Sequence, residues 1–154
     1  MRPAERGFTV AELITVVVII GILSAMALPV ARWGIQRQRE IELRGRLRKV
    51  TDAIDRYHDL RVRNQIKDPA NVTQGEYPRD LEELLKGVEL IDGKKVKFLR
   101  ERDLIDPMTG QKEWFTRSST DAFDSVSSND DNVFELRSTS ERMSLDGKTR
   151  YNEW

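Results

Sequence analysis

The sequence predicts an α+β fold in which a long N-terminal helix packs on a small antiparallel β-sheet. Three observations predict it. Residues 13–31 form an apolar segment without a single charged residue, although charged residues make up 34% of the chain. Apolar residues then recur at helical spacing, and the C-terminal half contains short strand-like segments separated by turn residues. We therefore divide the chain into residues 1–7, 8–31, 32–66 and 67–154.

The composition limits the kind of protein this chain can be. Its 154 residues suit one modest domain and an anchoring segment. The 26 basic and 26 acidic side chains balance, so no overall field favours a nucleic acid, and we expect no nucleic-acid partner. There is no cysteine, which excludes disulfides, thiol catalysis and cysteine-ligated zinc.

The apolar segment 13–31 is long enough to cross a bilayer. As a helix, its 19 residues would extend roughly 28 Å, close to the thickness of the hydrocarbon core. Glu12 stands at its entrance, and a charge at the centre of a bilayer costs roughly 2.5–3.5 kcal/mol on insertion scales. The position of Glu12 therefore needs an explanation.

Two ordinary N-terminal segments explain only part of this pattern. A secretory signal would use Arg2 and Arg6 as its basic start and the Ala-x-Ala triplet at 25–27 as its cleavage site. The mature chain would then begin at Leu28. The acidic Glu12, the long core and its apolar continuation argue against this interpretation. A plain single-span anchor accounts for the length but gives Glu12 no role.

Residues 6–14, RGFTVAELI, resemble the type III signal of type IV pilins and type II secretion pseudopilins. The shared features are a short basic leader that ends at Gly7, a phenylalanine at Phe8 and a glutamate at Glu12. The resemblance implies that a prepilin peptidase of the membrane removes residues 1–7 and methylates the new amino group of Phe8. The apolar segment then remains in place as a stem.

This processing offers a role for Glu12. Cleavage creates a cationic amine on Phe8, with which Glu12 of a neighbouring subunit can pair. In a low dielectric such a pair is strong, and an unpaired partner is heavily penalised. Our hypothesis is that Phe8 and Glu12 set the axial register as each subunit leaves the bilayer and joins a filament. The alternative is a carboxylate that favours the positive end of its own helix dipole.

Two helix-weakening residues lie in the stem. Proline removes a backbone hydrogen bond and glycine lowers helical preference, so Gly21 and Pro29 predict local flexibility. In filaments of the resembling family, a stem can lose helical order between such positions, and we expect the same of residues 21–29. The alternative is an ordinary proline kink in a membrane helix.

The helix continues beyond the stem as an amphipathic segment, 32–66. Its apolar residues are spaced by four, three, four and three positions: Leu43, Leu47, Val50, Ile54 and Tyr57. This spacing is one face of a helix, which we expect to end near Gln65, before the breaker pair at 68–69. We interpret the charged run 37–49 as a solvated face, with pairing between subunits as its alternative.

The remaining residues, 67–154, form the head. Residues 77–87 predict a short helix that Asp80 caps and Gly87 ends. Residues 133–137 predict a strand whose side chains alternate between two faces. Val133, Glu135 and Arg137 are expected on one face, and Phe134 and Leu136 on the other.

Residues 96–115 predict two strand-like ends on either side of a turn. In the turn sequence DPMTG, Pro107 fixes φ and Gly110 permits the chain to reverse. Together with 133–137, these strands would make a small antiparallel sheet folded on the long helix.

The head is similar to that of the major pseudopilin of type II secretion, in variants with a short acidic C-terminal loop. The shared pieces are Tyr77, Pro78, Leu81 and Leu84; Phe98, Leu99, Arg100, Asp106, Pro107, Thr109, Gly110 and Trp114; Val133, Phe134, Leu136 and Ser138; and Asp146, Gly147, Tyr151 and Trp154. The resemblance therefore extends over nearly the whole chain and implies a pilin-like fold.

That resemblance raises the question of calcium, which many major pseudopilins bind in the loop between their last strands. Ser138 and Asp146 are weak candidates here, with Glu141 or main-chain oxygens as helpers, because calcium prefers six to eight oxygens. Arg150 stands near the place where a carboxylate ligand is expected. The alternative is a tight turn that starts at Asp146, with Trp154 packed back on the sheet. No other cofactor is expected.

We expect no catalytic site. The single histidine, His58, stands beside Tyr57 on the long helix and is interpreted as a surface or rim residue. No serine has a matching histidine and carboxylate, and no glycine-rich phosphate loop is present in the sequence. The pattern therefore favours a structural role.

The resemblance implies a subunit of a periplasmic pseudopilus, which assembles from the inner membrane and pushes folded proteins through an outer-membrane channel. Its expected partners are copies of itself, minor pseudopilins, the prepilin peptidase and methyltransferase, the inner-membrane assembly platform and the lipid bilayer. The chain would cross the inner membrane once, with its head in the periplasm. Two alternatives are a surface type IV pilus subunit, which more often has a C-terminal cysteine pair, and a membrane-anchored binding module that never polymerises.

Overall fold

The computed structural model describes residues 7–67, 73–122, 125 and 128–154. The chain divides into two compact units, Met1–Gln38 and Arg39–Trp154. Most of the predicted leader, residues 1–6, and the predicted helix breaker at 68–69 lie outside the described residues.

The longest element is helix α1, Val10–Val62, with 53 residues. In the first unit it runs without interruption through Gly21 and Pro29. A Cβ added at Gly21 would meet no atom within 4 Å, so no close contact requires glycine there. The loss of helical order that we expect in a filament stays a prediction.

Helix α1 ends at Val62, three residues before the predicted end. Asn64 adopts a φ of 53°, and its N–H donates to the Arg61 carbonyl at 2.8 Å, while the Gln65 N–H donates to the Leu60 carbonyl at 2.9 Å. This pair of bonds is a Schellman motif with asparagine in the left-handed position. The short polar side chain of asparagine tolerates that conformation, which is why the helix stops early.

The predicted amphipathic face of α1 forms the core of the second unit. Four of its five residues, Leu43, Val50, Ile54 and Tyr57, are fully buried, and Leu47 is partly buried. The residues that cover this face follow α1 in the chain: Ile66, Leu84, Val88, Leu99, Leu104, Val133 and Leu136 in one cluster, and Met108 and Tyr151 in a second cluster. The periodicity therefore identified the buried face correctly.

The short helix α2, Leu81–Lys86, forms as predicted. The Asp80 carboxylate accepts a hydrogen bond from the Glu83 N–H at 2.7 Å and caps its first turn. Gly87 ends the helix with a φ of 75°. A Cβ at Gly87 would lie 2.3 Å from the Val96 carbonyl oxygen, so glycine is required both by the backbone conformation and by this close approach.

The described strands form two small antiparallel sheets, not one. Strand β1, Val88–Glu89, pairs with β2, Lys95–Val96, and strand β3, Trp114–Arg117, pairs with β4, Glu135–Ser138. Short 3-10 helices occur at Gln74–Glu76, Glu101–Leu104 and Tyr151–Glu153. The predicted α+β class is confirmed, while the predicted single sheet is wrong.

The turn at 106–110 is present and both strand-like ends of 96–115 contain strands, β2 and β3, but these two strands do not pair with each other. The Gly110 N–H donates to the Asp106 carbonyl at 2.7 Å, and Gly110 has a φ of 77°. Before the turn, however, the N–H groups of Phe98 and Leu99 both donate to the Leu84 carbonyl, at 3.1 and 3.2 Å. Because these donors are used by α2, this segment cannot continue as a strand into the turn.

The predicted alternation of 133–137 holds only where the strand exists. Strand β4 begins at Glu135, so Val133 and Phe134 precede it. The Val133 N–H donates to the Pro78 carbonyl at 2.8 Å, and this contact brings Val133 into the core beside Leu136. Phe134 does not share the face of Leu136 and is 41% exposed.

Near the C-terminus the chain forms the predicted tight turn and then returns to α1. Met143 and Arg150 form an isolated antiparallel bridge around it. The Glu40 carboxylate of α1 accepts hydrogen bonds from the Tyr151 hydroxyl at 2.8 Å and the Leu145 N–H at 2.7 Å. Trp154 packs edge-on against Tyr151 at the second core cluster, which Trp114 of β3 also contacts.

The buried carboxylate of Asp103 links the 3-10 helix Glu101–Leu104, which precedes the turn, to α1 by ion pairs. Asp103 accepts from Arg46 at 3.0 Å, from Lys49 at 2.9 Å and from the Arg100 N–H at 3.1 Å. Burial raises the pKa of Asp103, but the hydrogen bonds from Lys49 and Arg100 and the neighbouring charges outweigh it, so the net shift is downward. The folded state therefore stabilises the ionised form of Asp103.

We predict that Asp103→Asn lowers the free energy of unfolding by roughly 3 kcal/mol at neutral pH, because Arg46 and Lys49 lose their buried counter-charge. The pKa of Asp103 is depressed in the folded state, so its contribution is complete above about pH 4 and is lost as pH falls further. The difference between wild type and variant should shrink in the same range. Urea unfolding of the detergent-solubilised chain, followed by tryptophan fluorescence, measures both effects.

The matched control is Asp59→Asn. Asp59 pairs with Arg63 at 3.6 Å, and both side chains are about two-thirds exposed, so its loss should cost less than about 1 kcal/mol. Equal losses for the two variants would contradict the role assigned to Asp103.

We further predict that Gly87→Ala destabilises the head more than Gly93→Ala. Both glycines have positive φ, 75° and 81°, which alone costs about 1–3 kcal/mol for alanine. Only Gly87 faces a backbone oxygen, whereas the space around Gly93 is open, so the clash should add about 1–3 kcal/mol. Thermal unfolding of the two variants tests this ranking, which a larger drop in Tm for Gly93→Ala would refute.

Candidate processing and assembly site

The predicted cleavage bond lies at the exposed start of the first unit. Gly7, Phe8 and Thr9 precede helix α1, and Phe8 is 83% exposed. A Cβ added at Gly7 would meet no atom within 4 Å. The bond between Gly7 and Phe8 is therefore outside regular structure and open to an enzyme, and no contact within the described chain requires a glycine at position 7.

The first turn of α1 contains a capping interaction that the sequence analysis missed. The Thr9 hydroxyl accepts a hydrogen bond from the Glu12 N–H at 3.2 Å, and the Thr9 carbonyl accepts from the Leu13 N–H at 3.1 Å. Threonine followed three residues later by glutamate is the sequence signature of a capping box. This signal was present in the sequence, and it identifies Thr9 as the residue that starts the helix.

Glu12 lies in the first turn of α1, where the helix dipole favours a negative charge. Its side chain is exposed and forms no ion pair with any residue that the structure describes. The amino group of Phe8 is still part of a peptide bond in this chain, so it cannot be a cationic partner. Pairing between Phe8 and Glu12 of two subunits stays a prediction.

Among the described residues of the first unit, none covers the apolar part of α1. Its large hydrophobic side chains from Val10 to Val30 are all about half exposed or more where they are described. By length and composition alone, α1 is the one helix of the described chain that could cross a membrane. This surface needs lipid or further protein around it.

The two calcium candidates, Ser138 and Asp146, take part in two separate hydrogen-bond networks. The Ser138 hydroxyl is buried and donates to the Asp106 carboxylate at 2.6 Å. Asp146 accepts from the Ser144 hydroxyl and from the Lys148 N–H, and these hydrogen bonds lower its pKa. Within the described residues, no group of three or more histidine, aspartate or glutamate side chains is placed to hold a metal ion. Calcium binding at Ser138 and Asp146 stays a prediction.

His58 lies at the rim of the second unit, half-buried on α1. Its ring stacks on Tyr77, with a centroid separation of 4.4 Å and an interplanar angle of 14°. Phe134 packs edge-on against the same tyrosine at 5.0 Å. This arrangement gives His58 a packing role.

Comparison with known proteins identifies the N-terminal segment. Residues 2–28 match the family model described as the prokaryotic N-terminal methylation motif, and this range includes Gly7, Phe8 and Glu12. Searches of curated proteins and of solved structures find no significant match. The chain therefore carries a type IV pilin-like prepilin signal, which marks it for processing by a prepilin peptidase and for polymerisation in general.

Proposed function

We propose that this chain is a structural subunit of a periplasmic pseudopilus in a type II protein secretion system. In this proposal the subunit is stored in the inner membrane and then joins a filament that pushes folded proteins through the outer-membrane channel. The observation that carries it is the methylation motif at 2–28, which includes most of an uncovered apolar helical segment of bilayer length. A prepilin signal and a stem that needs covering are what a membrane-stored filament subunit requires.

Two features favour a pseudopilus over a surface pilus. The chain has no cysteine, whereas surface pilins more often carry a C-terminal cysteine pair. The C-terminal segment is held instead by Glu40, which accepts from Leu145 and Tyr151. A surface type IV pilus subunit is the second candidate, and a membrane-anchored module that does not polymerise is the third.

The proposal assigns the same partners as the resemblance. After cleavage and methylation by the prepilin peptidase, the subunit would contact copies of itself, minor pseudopilins and the inner-membrane assembly platform. The stem would lie in the lipid bilayer before assembly, and the head would lie in the periplasm.

We predict that Gly7→Ala blocks removal of the leader. Because a Cβ at position 7 meets no atom of the described chain, any loss must arise in the peptidase site and not in the fold. The intact mass of membrane-extracted wild type should correspond to a chain that begins at N-methylated Phe8. Gly34→Ala is the matched control, since Gly34 is another exposed glycine with open space around it. A wild-type chain beginning at Met1 or Leu28 would contradict the proposal.

We predict that Glu12→Gln abolishes filament assembly while leaving processing intact. Glutamine keeps a polar side chain suited to the capping box but removes the charge that would pair with the amine of Phe8. Thr9→Ala is the control, because it removes the capping oxygen and keeps the charge, at a cost of about 1 kcal/mol in helix stability.

The readouts are a crosslinked ladder of subunits, the periplasmic retention of secreted proteins and the presence of surface filaments. They are compared in a deletion strain complemented with wild type or with each variant. Loss of ladder and secretion in Glu12→Gln alone supports the proposal. Loss of surface filaments with normal secretion would favour the surface pilus. Loss of assembly in Thr9→Ala but not in Glu12→Gln would show that Glu12 stabilises the start of its own helix and does not pair with another subunit.

A further inference from the structure

The apolar part of the stem is followed at once by two arginines and a tryptophan. Arg32, Trp33 and Arg37 lie in the first unit, in the part of α1 that continues from the apolar segment. All three are exposed, and Trp33 has 67% of its surface accessible. Tryptophan is enriched where a membrane helix meets the headgroups, so this position of Trp33 marks the level at which the stem leaves the hydrocarbon.

The two arginines have no acidic residue near them in the described part of their own unit. No aspartate or glutamate occurs between Glu12 and Glu40 in the sequence. Among the residues that the structure describes, neither Arg32 nor Arg37 forms an ion pair, whereas Arg46 pairs with Glu42 and Asp103. Two unneutralised guanidinium groups at this level therefore attract an anion from outside the chain.

The placement of the two arginines fits a surface that surrounds the helix. Five residues along an α-helix correspond to a rotation of roughly 140° and a rise of about 7.5 Å. Arg32 and Arg37 thus point to different sides of the stem within about the depth of one headgroup layer. A neighbouring protein chain would meet one side, while a lipid headgroup layer meets both.

We propose that Arg32 and Arg37 bind the phosphate groups of anionic phospholipids in the leaflet where the stem emerges. The inference rests on the membrane-stored state of the proposed function. Basic residues beside a membrane helix are normally found on its cytoplasmic side. The proposed orientation places Arg32 and Arg37 on the opposite side, where anionic headgroups would compensate for their charge and hold the unassembled subunit at a fixed depth.

The test uses the full processed chain in phosphatidylcholine vesicles with a trace of spin-labelled lipid. Electron paramagnetic resonance gives the fraction of label immobilised by the protein, separately for phosphatidylglycerol and phosphatidylcholine. Wild type should prefer phosphatidylglycerol, and Arg32→Gln with Arg37→Gln should reduce this preference, on the order of fivefold for each arginine removed. Added salt should reduce the wild-type preference in the same direction.

Two double variants serve as controls. Arg48→Gln with Arg56→Gln removes the same charge from exposed positions of α1 that form no ion pair with the described residues, and it should keep the preference. Arg32→Lys with Arg37→Lys retains the charge and should keep it as well. An equal loss in the Arg48 and Arg56 variant, or no preference in wild type, would overturn the inference.

Two further outcomes separate this inference from the proposed function. In the first, the glutamine variant of Arg32 and Arg37 keeps the lipid preference of wild type but gives a weaker crosslinked ladder. This result would mean that the arginines pair with carboxylates of another copy, and it would overturn the lipid site. Release of wild type from vesicles by alkaline carbonate would overturn membrane storage itself, and with it the proposed function.

Discussion

The head depends on one face of helix α1. Leu43, Val50, Ile54 and Tyr57 are removed from water only because segments distant in sequence lie against them. None of these segments has a large sheet of its own, since each described sheet has two strands, and a two-stranded sheet is marginal in isolation. The helix face is therefore the surface on which the short elements become stable. Polar contacts such as Tyr57 to Glu83 at 2.7 Å then fix their positions.

The sequence predicted those parts of the fold that follow from local spacing. The buried face of α1, the cap at Asp80 and the turn that ends in Gly110 all follow from residues within a few positions of one another. Strand pairing was not predictable in this way, because it depended on distant donors. The N–H groups of Phe98 and Leu99 were free to form a strand as far as the local sequence showed, and their acceptor was the carbonyl of Leu84.

The candidate site was also predictable only where its signal is local in the sequence. Gly7, Phe8 and Glu12 were recognisable because their spacing in the chain is the signal itself, and the methylation motif at 2–28 includes all three. The cap at Thr9 could have been found from the same stretch, because Thr9 is followed three residues later by Glu12. An ion pair between two subunits can be seen neither in the sequence nor in the structure of a single chain, because its atoms belong to different molecules.

The hydrogen bond between Tyr151 and Glu40 joins residues 111 positions apart. Translation proceeds from the N-terminus, so Glu40 is synthesised well before Tyr151. Contacts with such sequence separation form slowly, because a long loop must close before they contribute. Until the C-terminal segment docks, Leu43 lacks Tyr151, one of the residues that bury it. Docking of the C-terminal segment is therefore the step that completes the burial of this part of α1.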